Sequence, residues 1–188
     1  MYFLLLFVTA FLLISIFSTN WPTKLYHHQL LKKIARELQT KPIIQGMLFS
    51  NVYSEIITVY QGKDIRIRFI ENSIDSIKAN SGLEIRIREY AGVVMEFYRI
   101  KRNKKAWGDF QQFLSGDNRI DSEWSILTTS PDRAKELWNR SQLNELLKTT
   151  PQLEQILINQ QEIIIQLKKY HSSNLILNVL NQAVSCFL

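Results

Sequence analysis

Four arginines in two look-alike segments are the residues of this sequence best placed to do chemistry. Gly62-Lys63-Asp64-Ile65-Arg66-Ile67-Arg68 is echoed by Gly82-Leu83-Glu84-Ile85-Arg86-Ile87-Arg88 at an offset of twenty residues. In an extended chain alternate side chains share a face, so Arg66 and Arg68 point one way and the isoleucines between them point into a core. If the two strands are neighbours, Arg66, Arg68, Arg86 and Arg88 form one patch, and guanidinium forks match the oxygens of phosphate and carboxylate. That patch would meet anionic lipid headgroups or an acidic protein partner. The same pattern also describes a solvated sheet face neutralised by Glu71, Glu84, Glu89 or Glu96. A second basic cluster, Lys101, Arg102, Lys104 and Lys105, leads into Trp107 and would add about 1 kcal/mol per charge against an anionic leaflet. Neither cluster comes with a recognition helix or a paired aromatic RNA-binding motif, so nucleic acid is not an expected partner.

Other chemistry is sparse. Asp109, Asp117, Asp121 and Glu123 are the best acidic constellation, yet D-N-R-I-D-S-E lacks the ligand spacing and central glycine of an EF-hand loop. Turn formation beside Gly116 explains these residues more simply. A metal-dependent enzyme using Asp117, Asp121 and Glu123 is the alternative they support. His27 and His28 are adjacent and diverge by about 100° on a helix, which makes a poor chelate, and His171 is remote in sequence. Cys186 reads as a buried structural thiol. With no phosphate-loop, dinucleotide or nucleophile-elbow motif, no catalytic residue, metal ligand or cofactor is assigned.

The elements that position these residues follow from pattern. The chain has 188 residues, 46% of them apolar, with 6 Gly, 4 Pro and one Cys. That composition excludes collagenous, low-complexity and disulfide-framework classes and leaves room for one compact domain. Lys24 to Gln39 places Leu30, Leu31, Ile34 and Leu38 on one face of an amphipathic helix that Pro42 ends. Strands are predicted at 43–49, 54–60, 65–70, 83–90, 93–101 and 124–129, with turn signals at Gln61-Gly62, Ser81-Gly82 and Ala91-Gly92. Ser130-Pro131 opens a helix, 143–147 a second, and 153–159 with 162–169 reads as an Ile-rich hairpin. Leu175, Ile176, Val179, Leu180, Ala183 and Val184 recur at helical spacing up to the C-terminus. The expected class is α+β, with a largely antiparallel sheet and two to four helices including a C-terminal one.

Tyr2 to Phe17 contains no charge. Taken as one helix to Trp21, the start of the chain covers roughly 30 Å, the thickness of a bilayer's hydrocarbon core. Residues 1–21 are therefore expected to be a transmembrane signal anchor, with Trp21 in the headgroup belt and 22–41 a juxtamembrane basic helix ahead of a globular 42–188. Lys24, Lys32, Lys33 and Arg36 follow the anchor, and the positive-inside bias places the domain in the cytoplasm of a single-pass membrane protein. A secreted or periplasmic domain released by signal cleavage is the alternative. Charge is uneven along the chain: sixteen Lys or Arg against eight Asp or Glu over 24–105, but five against nine over 106–162.

The stretch Asp121-x-x-Trp124-x-Ile126-x-Thr128, then Pro131-x-x-Ala134-x-x-Leu137, a hairpin and a terminal helix, resembles uncharacterised bacterial membrane-anchored domains over residues 121–188. The resemblance implies membrane anchorage and a non-enzymatic role, with no catalytic residues. The expectation is a membrane-anchored binding or scaffold domain contacting anionic lipid or an acidic partner.

Overall fold

The computed structural model describes residues 2–18, 21–45, 53–70, 82–99, 108–168 and 172–187. Two helices come first, α1 (Tyr2–Ser18) and α2 (Trp21–Glu37). Strands β1 (Ile43–Gln45), β2 (Tyr53–Tyr60), β3 (Lys63–Ile70), β4 (Gly82–Arg88), β5 (Met95–Arg99) and β6 (Gln111–Phe113) follow. The chain continues through α3 (Asn118–Glu123), β7 (Trp124–Thr128), α4 (Pro131–Arg140), α5 (Leu143–Thr149), β8 (Leu153–Ile158), β9 (Glu162–Leu167) and α6 (Ser173–Cys186). All nine strands join one sheet in the order β1-β2-β3-β4-β9-β8-β5-β7-β6, and every recorded pairing is antiparallel. The α+β class and the antiparallel sheet stand as expected, but the described residues form six helices rather than two to four.

The transmembrane anchor does not. No described helix is both long and apolar enough to cross a membrane. The expectation ran Met1 to Trp21 as one rod, whereas α1 is 17 residues long and α2 begins anew at Trp21. At 1.5 Å per residue, α1 reaches about 25 Å, short of the roughly 30 Å hydrocarbon core. Pro22 sits in the first turn of α2, where a missing N–H suits the start of a helix rather than its continuation. The signal anchor, the single-pass membrane localisation, the integral one-span membrane partner and the headgroup-belt role of Trp21 fall together. The cytoplasmic placement goes too, because the charge bias orients only a spanning helix.

One face of the sheet carries the core. Ile56, Ile65, Ile67, Leu83, Ile85, Ile87, Ile163 and Ile165 are each at most 1% exposed and cluster with Leu31 and Ile34 of α2, Ala134 and Leu137 of α4, Leu143 and Leu146 of α5, and Ile176 and Leu180 of α6. Each such Ile or Leu side chain contributes about 1.5–3 kcal/mol by leaving water. The apolar stripe of α6 is thus spent within the chain, against α2, α5 and the sheet. Its start is capped by Ser172, whose hydroxyl accepts from the Leu175 amide. Ser130 stands at the N-cap of α4 but its hydroxyl makes no cap bond, while Pro131 occupies the first turn.

Two short elements were not foreseen. The sequence around 115–123 reads as a loop, but Asp117 accepts from the amides of Arg119 and Ile120 and starts α3, which buries Ile120. β6 adds an edge strand beside β7.

Candidate functional site

The site begins at a tight turn. Gln61 (φ 51°) and Gly62 (φ 79°) both take the left-handed conformation of a two-residue hairpin, and this fixes the β2–β3 register. Tyr60 faces Lys63, so Ile57 faces Arg66 and Glu55 faces Arg68. On the other side of β3, Arg66 faces Arg86 and Arg68 faces Glu84. The two echoed segments are therefore neighbours, and Arg66, Arg68, Arg86 and Arg88 share the face opposite the helix layer. There the sheet meets solvent: Ile57 is 49% and Val59 65% exposed. The openness is local, because at the far end of the same face Tyr98 and Leu127 are buried.

Acidic residues thread the patch. Arg66 donates from Nε to Glu55 at 2.7 Å and pairs with it through Nη2 at 2.6 Å. Glu84, its side chain only 4% exposed, accepts from Nε of both Arg68 and Arg86 at 2.6 Å. Burial alone would push the Glu84 carboxyl up, but the bonds from Arg86 and Arg68 outweigh it and hold the group below the usual carboxylate range. Arg86 also reaches Glu162 through Nη1 at 3.2 Å. Arg88 and Asp64 pair at 3.7 Å with side chains 80% and 60% exposed, which makes theirs the weakest link. Four arginines thus meet four carboxylates, and the patch carries no net excess charge.

Balance does not mean saturation. Arg66 and Arg86 stand directly opposite each other, an arrangement of like charges that disfavours a sheet unless something bridges it. No described residue takes Nη1 of Arg66 or Nη2 of Arg86. Both side chains line an open depression of about 360 Å³, together with Arg88, Ile57, Asp64 and Glu162.

The other predicted residues lie elsewhere. Lys32, Lys33 and Arg36 are exposed on α2, whose buried face packs on the helix side of the sheet, so they point away from the arginine patch. One flat surface cannot touch both. Trp21 and Lys24 stand in the first turn of α2, with side chains outside the described residues, as are Lys101, Arg102, Lys104 and Lys105. Of the expected neutralising residues, Glu84 serves as anticipated, Glu89 pairs with Lys63, Glu96 accepts from Tyr98, and Glu71 lies outside the described residues. Glu55, Asp64 and Glu162 were missed. Hairpin spacing could have revealed the first two, but nothing local places Glu162 beside Arg86.

The alternative catalytic loop is occupied by structure. Asp117 caps α3 and pairs with Lys148, whose hydrogen bond lowers its carboxyl pKa. Asp121 accepts from the amides of Ser115 and Gly116, and Glu123 pairs with Arg119 on the same helix. Among the described residues no group of three His, Cys, Asp or Glu could hold a metal ion.

No family model matches the chain, and no curated protein does. Its fold is similar to that of a solved mycobacterial protein. That protein is the trehalose monomycolate transport factor A, TtfA; the two superpose with a TM-score of 0.58 over 83% of this chain and 91% of TtfA, at 11% sequence identity. At that identity the likeness to TtfA concerns the fold and no individual site residue.

Proposed function

We propose that this chain is a non-enzymatic binding domain whose open sheet face holds an anionic lipid headgroup on Arg66 and Arg86, with Arg88 at the rim. The observation that carries the reading is the cross-strand Arg66–Arg86 pair, with Nη1 of Arg66 and Nη2 of Arg86 directed to no described partner, in a concave site. A bridging phosphate relieves the repulsion between the two guanidinium groups and gains charge-assisted hydrogen bonds. The depression's volume falls in the range of small-molecule sites. The fold likeness to a factor named for trehalose monomycolate transport is compatible with lipid as the ligand class.

The test compares binding of the full chain to phosphatidylcholine vesicles with and without phosphatidylglycerol, for wild type and for Arg66→Gln/Arg86→Gln/Arg88→Gln. The exposed apolar surface of α1 is common to all four measurements, so the gain on adding the anionic lipid isolates the arginines. That gain is expected to vanish in the triple variant. An unchanged gain refutes the reading, and competition by an acidic peptide without any vesicle gain assigns the face to an acidic protein partner instead.

A further inference from the structure

Around the arginine pair the sheet face mixes ion pairs with exposed apolar side chains. Ile57 is the register partner of Arg66 and lines the depression with it. Val59 follows two positions along β2, about 7 Å away, on the same face. Ile43 of β1 is paired with Glu55 and shares that face as well. All three are exposed, Ile43 at 41%. On the other flank Arg86 faces Ile164 of β9. A single exposed isoleucine means little, but Ile57 and Val59 side by side next to two opposed arginines give a surface whose charged part on β3 and β4 adjoins an oily end on β2.

Inorganic phosphate gains nothing from the oily end, and a neutral lipid gains nothing from the arginines. We infer that the depression accepts one anionic amphiphile at a time, its head bridging Arg66 and Arg86 and its chain lying across Ile57 and Val59. This rests on the headgroup reading above and adds that the site takes a monomer by its chain as well as its head. The occupant is a single-chain alkyl phosphate or carboxylate, its chain set along the exposed Ile57 and Val59 of β2.

The experiment titrates the full chain with dodecyl phosphate below its micelle threshold, with inorganic phosphate and with dodecanol. Dodecyl phosphate is expected to bind at least tenfold more tightly than either. Ile57→Thr/Val59→Thr, which keeps β-branched residues at exposed strand positions, should bring the affinity for dodecyl phosphate down to that of inorganic phosphate for the same variant. Arg66→Gln/Arg86→Gln should abolish binding of both phosphates, and thermal melts of each variant confirm folding. Equal affinities for dodecyl phosphate and inorganic phosphate overturn the chain contact and leave the headgroup reading intact. If neither phosphate binds, both readings fail. Dodecanol binding as tightly as dodecyl phosphate, or dodecyl phosphate binding unaltered in Arg66→Gln/Arg86→Gln, places the contact on another apolar surface and overturns the inference.

Discussion

The two faces of the sheet are built from the same strands, sometimes from adjacent residues, and are put to opposite uses. On the helix side Ile65, Ile67, Ile85 and Ile87 are sealed under α2, α5 and α6, where each side chain is committed to stability. One residue away, Arg66, Arg68, Arg86 and Arg88 face water in a lattice of ion pairs, with Ile57 and Val59 left uncovered. The difference teaches where to look for function: burial explains every isoleucine of the echo, whereas ion pairing accounts for the opposed arginines only in part, because Arg66 and Arg86 each keep a guanidinium nitrogen directed to no described partner. Substitutions on the covered face should therefore lower stability, and substitutions on the open face should change binding with little effect on folding.

The largest effect is expected at the covered face. Ile85→Ala removes a fully buried side chain at the centre of the sheet and should cost about 2–5 kcal/mol, read from denaturant unfolding. A comparable change appears with acid. His27, buried and stacked on Phe69 at 3.9 Å, has its pKa lowered by burial to about 4 from 6.5. Between those values the unfolded chain takes up a proton that the folded one refuses, so stability falls as pH drops from 6.5 towards 4, by at most about 1.4 kcal/mol per pH unit. Above pH 6.5 the group has no such effect. Stability measured against pH for wild type and His27→Phe should diverge in that window and run parallel above it.

Smaller effects sharpen the contrast. Glu84→Gln leaves Arg68 and Arg86 without their shared buried carboxylate and should cost about 2 kcal/mol, making it the open-face substitution that weighs most on stability. Because its folded pKa is depressed, the Glu84 contribution is present at neutral pH and is lost as pH falls through the folded value. Ser172→Ala removes the cap of α6 and should cost about 1 kcal/mol. Arg88→Gln breaks only a loose exposed pair and should leave the thermal midpoint unchanged while weakening anion binding. Equal destabilisation by Arg88→Gln and Glu84→Gln would erase the distinction between rim and buried centre.

Much of this was legible in the sequence, for identifiable reasons. Alternating Ile and Arg put the echoed segments on strands with known faces, and the Gln61-Gly62 turn sets which β2 residue faces which arginine. The spacing of Leu175, Ile176, Val179, Leu180, Ala183 and Val184 gave α6 without ambiguity, because a 3.6-residue stripe is a strong local signal. The partners of Arg86 were hidden, since the pairing of β4 with β9 joins residues some eighty positions apart and leaves no local trace. α3 carries a single buried apolar residue, too few to show a period. At the N-terminus the apolar run masked a boundary that Ser18-Thr19-Asn20 and Pro22 do mark, and three or four residues decide whether a helix reaches across a bilayer.

The central claim, that Arg66 and Arg86 jointly hold an anion, is tested most directly by following the Nε–Hε resonances of all arginines in the isotope-labelled full chain during titration with glycerol phosphate. The account predicts saturable shifts for Arg66 and Arg86 with one common dissociation constant, a smaller shift for Arg88, and none for Arg119 or Arg140. Uniform, non-saturating shifts across all the arginines, or shifts that leave the Arg66 and Arg86 signals in place, would contradict it.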